Sequence, residues 1–268
     1  MQLTHTNITC PTMDPNKIEQ IPENELLMLQ NAFLNNIMHE IRTPLNAIIG
    51  CSDIISMPDT DRETVGEMSV QLRRYSSYLL KMIDNIVIMS KIQAGLIKVS
   101  PSKFDVLFLA TYIYHSSRSL VVTDPAKNGK VSYTLVNNLG DKPVLVWADD
   151  RMICQVANAL VDNAIKFTDE GSVRLSAAVT AHQGKNESDY ILEIKVSDTG
   201  TGIAPENGEI IFDKFKKVSP DPSRIYDGAG LGLAIAKAQT EMMNGSLTFK
   251  SKVGEGTEFT LRVPVTRC

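Results

Sequence analysis

A regular apolar seam between residues 65 and 89 restricts the fold of this chain more than any other feature. Its members recur at alternating spacings of three and four residues, and they are Val65, Met68, Leu72, Tyr75, Leu79, Met82, Ile86 and Met89. This heptad spacing predicts a long helix that packs lengthwise against a partner helix. Two helices alone enclose too little core, so we expect two copies of the chain to form a four-helix bundle.

The partner helix is predicted to precede the seam, from Glu23 to about Met57. Pro58 ends it, because a proline disfavours helical geometry in the residue before it. Asp59 or Thr60 is expected to cap the second helix, since their side chains can accept a hydrogen bond from a backbone N–H of the first turn.

Beyond Gly95 and Pro101 the pattern changes to an alternation of helices and strands. Helices are predicted at 107–121, 150–168 and 231–243, and strands at 131–137, 143–148, 171–180, 190–198, 246–251 and 257–264. Helices on one face of a mixed sheet form an α/β sandwich. The chain is therefore predicted to be an α+β protein with a tail or linker at 1–22, a helical domain at 23–97 and a sandwich domain at 98–268.

Composition argues against several classes of protein. Of the 268 residues, 43% are hydrophobic and 22% charged, and a net charge of −4 gives no basic surface for nucleic acid. The cysteines form no CxxC pair and are expected to be reduced thiols, at Cys10, Cys51, Cys154 and Cys268. No stretch approaches the ~20 apolar residues that cross a bilayer. We therefore expect a cytoplasmic protein, or the cytoplasmic portion of a membrane-anchored one.

The segment FLNNIMHEIRTPLN, at 33–46, brings a histidine, a glutamate and a proline onto one predicted helix. At about 100° per residue, one apolar face is lined by Ile37, Ile41, Leu45 and Ile48. His39 lies off that face, so we expect its imidazole to be exposed beside Glu40. The carboxylate can take a proton from one ring nitrogen while the other attacks, which makes the pair a candidate nucleophile and base. A single His-Glu pair is also compatible with a plain surface histidine.

Four further motifs follow in order: NAIKFT at 163–168, DTGTGI at 198–203, IFDKF at 211–215 and GAGLGL at 228–233. Together with HEIRTPLN they resemble the motifs of two-component sensor histidine kinases, over about residues 25–265. The resemblance implies a dimeric bundle followed by an ATP-binding sandwich of the Bergerat type, as in the GHKL superfamily. It also implies autophosphorylation of His39 by Mg²⁺-ATP, with Glu40 as the base. The phosphoryl group would then pass to an aspartate of a response-regulator receiver domain.

The resemblance assigns roles to residues of the second domain. Asn163 would bind Mg²⁺ through its amide oxygen, and Lys166 would meet the phosphates as a point charge. Phe167 would pack along the nucleotide, while Asp198 would accept a hydrogen bond from the exocyclic amine of adenine. The other ATP-binding residues it implies are Gly200, Gly202, Ile203, Lys214, Phe215, Gly228, Gly230, Leu231, Gly232 and Thr257.

The glycines of two motifs have a physical reason to be there. Gly200 and Gly202 let the backbone turn tightly and approach the base. The glycines of GAGLGL precede a predicted helix, whose N-terminal N–H groups form a cradle for phosphates. Phe212 and Phe215 of IFDKF are predicted to lie three residues apart on a short helix that anchors a lid, and the segment 216–227 is expected to be the lid itself. The resemblance also implies that Thr257 lies near the phosphates. The spacing of GAGLGL matches neither a dinucleotide-binding GxGxxG motif nor a P-loop.

One position departs from the family. Members often carry a second asparagine four residues before the magnesium-binding one, but here that position is Ala159 and the neighbouring asparagine is Asn158. A shift by one residue turns a helical side chain by about 100°, so Asn158 is not expected to replace it. We expect the missing asparagine to lower the catalytic rate more than the affinity for ATP. Thr43 matches a position that orients water in members able to dephosphorylate their receiver.

The sequence leaves two other functions open. A non-catalytic dimeric scaffold is supported by Ala159 alone. A plain ATPase of the gyrase or chaperone kind would share the nucleotide motifs, but it would have no use for the helix that carries His39.

Overall fold

The computed structural model describes residues 23–122, 127–140, 142–181, 189–216 and 230–268. The predicted tail at 1–22 and most of the predicted lid lie outside these ranges. Within them, no helix is both long enough and apolar enough to cross a lipid bilayer.

The N-terminal unit is a hairpin of two long helices, α1 at Glu23–Ser56 and α2 at Arg62–Gln93. Both agree closely with the predicted helices. α1 continues through Pro44, whose ring is buried. Met82 and Met89 are the most buried members of the seam on α2, and its other members are half-buried in the single chain. The heptad pattern therefore marks the face along which α2 packs.

The turn between the helices corrects one prediction. Asp61, rather than Asp59 or Thr60, caps α2: its carboxylate accepts hydrogen bonds from the backbone N–H of Thr64 at 2.8 Å and from the Thr64 hydroxyl at 2.9 Å. These bonds, the backbone one first, lower the pKa of Asp61. Thr60 instead donates its hydroxyl to the carbonyl of Ile54 at 2.7 Å, at the end of α1. Its side chain is thereby engaged and does not serve as the cap.

The second unit contains the three helices and six strands whose ranges were predicted for it. Its helices are α3 at Val106–Val122, α4 at Asp150–Phe167 and α5 at Gly232–Met242. Its strands are β1 at Ser102–Asp105, β2 at Val131–Asn137, β3 at Leu145–Ala148, β4 at Gly171–Ala181, β5 at Asp189–Asp198, β6 at Ser246–Lys252 and β7 at Gly256–Arg267. Strand β1 was not predicted. Two short 3-10 helices, at Pro205–Asn207 and Ile210–Phe212, follow β5.

The strands form one seven-stranded mixed sheet in the order β1-β3-β7-β5-β4-β2, with β6 also paired to β7. Only β2 and β4 run parallel among these described pairs. Alternate residues of the central strands are buried, among them Val173, Leu175, Leu192, Ile194, Leu261 and Val263. They pack in one core with the buried residues of α3 and α4. The opposite face is polar, since Glu193 pairs there with Lys195 and Arg262. This is the predicted α/β sandwich.

Helix α4 is anchored at its start and buried along one side. The carboxylate of Asp149 accepts a hydrogen bond from Met152 N–H at 3.0 Å, which caps the helix. The same carboxylate accepts from the N–H of Ser100 at 2.7 Å, which ties down the chain that leaves the hairpin. Leu160 and Val161 are fully buried against the sheet. The polar residues of α4 are therefore left on its outer side.

The hairpin and the sandwich contact each other through an apolar cluster. Its buried members are Met82, Met89, Leu231, Ala234 and Ile235, with Ile41, Ile86, Ile88, Ile92 and Phe215 packed around them. It joins α2 to the start of α5. Beside it, the Lys81 ammonium on α2 forms an ion pair with the carboxylate of Asp162 on α4.

Candidate active site

The histidine of the first motif is exposed on α1, as the apolar spacing predicts. Ile37 is buried on the neighbouring face, whereas Leu45, assigned to the same apolar face, is 43% exposed in the single chain. Glu40 is half-buried, and its Oε2 accepts a hydrogen bond at 3.3 Å from the hydroxyl of Tyr78 on α2. The carboxylate next to His39 is therefore contacted from the second helix of the hairpin.

Thr43 and Pro44 modify the helix just after the histidine. The hydroxyl of Thr43 donates to the carbonyl of His39 at 3.3 Å. Pro44 has no N–H to offer the carbonyl of Glu40. The turn that presents His39 thus lacks one backbone hydrogen bond, yet α1 remains continuous.

Asp198, at the end of β5, is half-buried and begins the DTGTGI turn. Its Oδ1 accepts hydrogen bonds from the N–H of Gly200 at 2.9 Å and from the N–H of Thr257 at 3.2 Å. In the part of the chain that the structure describes, its Oδ2 makes no hydrogen bond, so this oxygen is available to a ligand. Burial raises the pKa of Asp198, and the two N–H groups oppose that rise without cancelling it.

The glycines after Asp198 permit close backbone contacts. A Cβ on Gly200 would lie 2.3 Å from the carbonyl oxygen of Phe167, and one on Gly202 would lie 2.2 Å from that of Lys252. Gly202 also has a positive φ of 70°. Between them, Thr201 donates its N–H to the carbonyl of Phe167 at 3.2 Å. The DTGTGI turn is therefore fastened to the C-terminal end of α4.

Ser251 on β6 connects two predicted site residues and was missed by the sequence analysis. Its hydroxyl accepts from the N–H of Ile203 at 2.7 Å and lies 2.8 Å from the hydroxyl of Thr257. Thr257 also donates its N–H to Asp198, so it lies at the predicted adenine end of the site and not at the phosphate end, where the sequence predicted it. No local sequence signal marks a serine for such a role.

The end of α4 carries the residues predicted to meet the phosphates. Asn163 and Lys166 are half-buried and three residues apart, on the same side of the helix. The Lys166 ammonium lies 4.8 Å from the ring centroid of Phe167. Since Phe167 also contacts the DTGTGI turn through its carbonyl, the structure brings this group and Asp198 to one end of the sandwich.

The glycine-rich motif begins α5. Gly228 lies outside the described residues, but Gly230 has a positive φ of 66° and accepts the N–H of Phe215 at 3.1 Å. Phe215 and Gly230, which lie on either side of the predicted lid, are therefore in contact. Gly232 is the first residue of α5, and Leu231 is fully buried in the cluster against α2. Lys214 is exposed.

The phenylalanines of IFDKF correct another prediction, since they do not share a helix. Phe212 ends the 3-10 helix Ile210–Phe212 and packs against Phe249, with ring centroids 6.1 Å apart. Phe215 lies beyond it with a positive φ of 61° and packs in the cluster against α2. One ring therefore belongs to the sandwich core and the other to the contact between the units.

Two family models match the chain where this geometry lies. The His Kinase A (phospho-acceptor) domain matches residues 29–95, which contain His39. The Histidine kinase-, DNA gyrase B-, and HSP90-like ATPase matches residues 148–267, which contain Asn163 and Asp198. The chain belongs to the sensor histidine kinases. Its second domain is an ATP-binding domain of the GHKL superfamily, and the match to a phospho-acceptor domain argues against a plain ATPase.

The curated relatives of this chain include proteins of a plant and of bacteria. Histidine kinase 5 of Arabidopsis thaliana is 31% identical, over 98% of this chain and 30% of the relative. Sensor histidine kinase RcsC of Escherichia coli K12 is 34% identical, over 88% and 23%. Autoinducer 2 sensor kinase/phosphatase LuxQ of Vibrio parahaemolyticus is 31% identical, over 87% and 26%. The chain thus spans less than a third of the length of each.

Solved structures of histidine kinases have the same fold. Full-length ShkA, crystallised in complex with AMPPNP, superposes with a TM-score of 0.60 and 25% identity, over 89% of this chain and 46% of that one. AdeS of Acinetobacter baumannii gives a TM-score of 0.58 and 22% identity, over 84% and 96%. The second supports the fold alone.

Asn158 and Ala159, where a departure from the family was predicted, have different surroundings on α4. Asn158 faces α3, where its Oδ1 accepts from the hydroxyls of Ser116 and Ser117 at 3.3 Å each. Ala159 is half-buried against the sandwich core. The Asn158 amide is thus engaged with α3, and its failure to replace an asparagine at 159 stays a prediction.

Proposed function

We propose that this chain is an ATP-dependent protein histidine kinase that phosphorylates His39 and passes the phosphoryl group to an aspartate of a response regulator. The observation that carries the proposal is the exposed His39 beside Glu40, on the same chain as a Bergerat-type nucleotide site. A scaffold would need neither an exposed imidazole nor a free carboxylate oxygen on Asp198.

The reaction moves one phosphoryl group. A ring nitrogen of His39 attacks the γ-phosphorus of ATP, the bond from that phosphorus to the bridging oxygen breaks, and ADP leaves. Glu40 takes the proton from the other ring nitrogen. Phosphoryl transfer depends mostly on positioning and charge neutralisation. The hydrogen bond from Tyr78 to Glu40 supplies positioning on the side of the histidine.

The nucleotide would be held at the end of the sandwich described above. Oδ2 of Asp198 would accept from the exocyclic amine of adenine, and Lys166 would neutralise phosphate charge. Mg²⁺ fits a neutral amide oxygen from Asn163 completed by phosphates and waters.

Replacing Asp198 by asparagine is expected to weaken ATP binding by roughly 10- to 100-fold, the usual worth of a hydrogen bond to a charged group. The amide can keep the bonds from Gly200 and Thr257, but it presents the adenine amine with a weaker acceptor or with a second donor. Calorimetry with Mg²⁺-ATP measures the loss. Glu241→Gln, which removes an exposed charge from α5, serves as the control, and equal affinities for parent and Asp198→Asn would mean that the adenine pocket has been misplaced.

We expect the protein to be a homodimer through its helical hairpin. Large apolar side chains of α1 and α2 are exposed in the single chain, among them Leu34, Met38, Leu45, Ile49, Val70, Leu80, Ile83 and Val87. A second hairpin would cover them in a four-helix bundle. Light scattering at micromolar concentration should give a dimer for the full chain and a monomer for a fragment of residues 100–268. A monomeric full chain would contradict the proposal.

We also propose a role for Thr43 in a second activity. Thr43, one turn after His39, would orient water if the protein also dephosphorylates its receiver. Loss of phosphatase activity in Thr43→Ala with kinase activity retained would support that role.

We place the chain in the cytoplasm, or on the cytoplasmic side of a membrane-anchored sensor. Cell fractionation decides this, and a periplasmic or extracellular location would overturn it.

Incubation with γ-labelled ATP tests the proposed kinase activity. A histidine kinase takes label that is stable to alkali and lost in acid, whereas an ATPase releases free phosphate and a scaffold does neither. A receiver domain added afterwards should take the label from the protein. Absence of label on the protein under conditions in which ATP binds would remove the proposal, and release of free phosphate would then separate an ATPase from a scaffold.

A further inference from the structure

Lys127, before β2, holds the C-terminal end of α4 although it lies 39 residues earlier in the chain. Its ammonium donates to the carbonyl of Thr168 at 2.7 Å and to that of Lys166 at 3.2 Å. It also lies 3.9 Å from the carboxylate of Asp169. Only 12% of its side chain is exposed. Lysine is rarely this buried unless its charge is paired, so these contacts indicate a specific arrangement.

These hydrogen bonds satisfy backbone carbonyls at the C-terminal end of α4. The last carbonyls of a helix have no donor within it, and the end carries partial negative charge. At the end of α4, the Lys127 ammonium donates hydrogen bonds to the carbonyls of Lys166 and Thr168. The N–H of Thr201 donates to the carbonyl of Phe167 between them. Three successive carbonyls are thereby fixed by two different segments of the chain.

The backbone around Lys127 is itself fixed, so its side chain starts from a defined place. The carbonyl of Lys127 accepts from the N–H groups of Lys130 and Val131, each at 3.0 Å. The carbonyl of Lys130 accepts from Gly171 at 3.0 Å, which joins the starts of β2 and β4. The Lys127 side chain therefore extends from a fixed position at the edge of the sheet to the C-terminal end of α4.

We propose that Lys127 is a positioning residue for the phosphate end of the nucleotide site. By holding the carbonyls of Lys166 and Thr168, it fixes the last turn of α4 and hence the direction in which Asn163 and Lys166 present their side chains. The inference rests on the proposed function, because it assigns the phosphates and the metal to that turn. The carboxylate of Asp198 is held by separate hydrogen bonds, from the N–H groups of Gly200 and Thr257, although its turn meets the end of α4 through Thr201.

Because different hydrogen bonds hold the phosphate end and the Asp198 carboxylate, the affinities for ATP and for adenosine can be compared in one variant. Lys127→Met keeps the aliphatic stem and removes the charge and the donors. We expect the dissociation constant for Mg²⁺-ATP to rise about tenfold, which corresponds to about 1.4 kcal/mol. Adenosine, which depends on the Asp198 end, should bind the variant as it binds the parent. Lys127→Arg, which keeps a cationic donor, should recover most of the ATP affinity.

Lys130→Met is the matched control, because Lys130 lies three residues away with an exposed side chain and should tolerate the same substitution. Calorimetry for ATP and ligand-observed NMR for adenosine measure the two affinities, with thermal melting beside them. Unchanged ATP affinity in Lys127→Met, or equal loss of both ligands, overturns the positioning role. If Lys127→Met does not fold, Lys127→Gln, which keeps N–H donors without the charge, is judged by the same two affinities. A parent that binds no ATP instead overturns the proposed function, and the inference with it.

Discussion

His39→Gln is expected to abolish incorporation of the γ-phosphate while leaving ATP affinity at the parent level. A glutamine amide is not a nucleophile, so no bond to phosphorus can form at this position. The nucleotide residues lie on the sandwich, whereas His39 is exposed on α1, and substitutions at separate sites act independently. Labelling with γ-labelled ATP and calorimetry on the same preparation measure both quantities.

The other histidines provide the control for this variant. The chain has four, and His115 is the one besides His39 in the described ranges. His115 is exposed on α3, with its ring 5.2 Å from that of Tyr114. His115→Gln should label like the parent. Label that persists in His39→Gln would move the assignment to His115 or to another histidine of the chain.

The hairpin was predictable because its signal is long and periodic. A heptad seam extends over many turns, so errors at single positions do not change the interpretation. The cap of α2 was assigned wrongly because Asp59, Thr60 and Asp61 are all suitable capping residues. Sequence alone does not choose among three adjacent candidates; the bond from Thr60 to Ile54 removes one of them only in the folded turn.

The sandwich was predictable in its elements but not in its pairing. Strand β1 is four residues long and reads SKFD, which has no apolar alternation, and it exists because it pairs with β3. The parallel pairing of β2 with β4 is likewise a tertiary choice. The short helix that the spacing of Phe212 and Phe215 suggested ends at Phe212, because Asp213 is already extended with φ −72° and ψ 144°. Local patterns contain none of this information.

Motifs located the candidate site, whereas its supporting contacts were invisible in the sequence. Tyr78 contacts Glu40 across 38 residues, and Ser251 contacts Ile203 across 48. Lys127 and Ser251 stand outside every motif and belong to residue types that are common on surfaces. Only the fold brings them to the site, so sequence reasoning finds the residues that would touch ligand more readily than those that hold them.

Glu40→Gln is expected to slow autophosphorylation by about 10²- to 10⁴-fold, the usual contribution of a general base. The amide has nearly the shape of the carboxylate, and its oxygen can still accept the hydrogen bond from Tyr78, so the hairpin should stay folded and dimeric. What it loses is the ability to take the proton from His39. Single-turnover labelling at saturating ATP measures this step apart from nucleotide binding. Glu67→Gln makes the same substitution at an exposed position of α2 and should leave the rate unchanged. A rate for Glu40→Gln close to that of the parent would show that another group accepts the proton, and the contact from Tyr78 would then be structural.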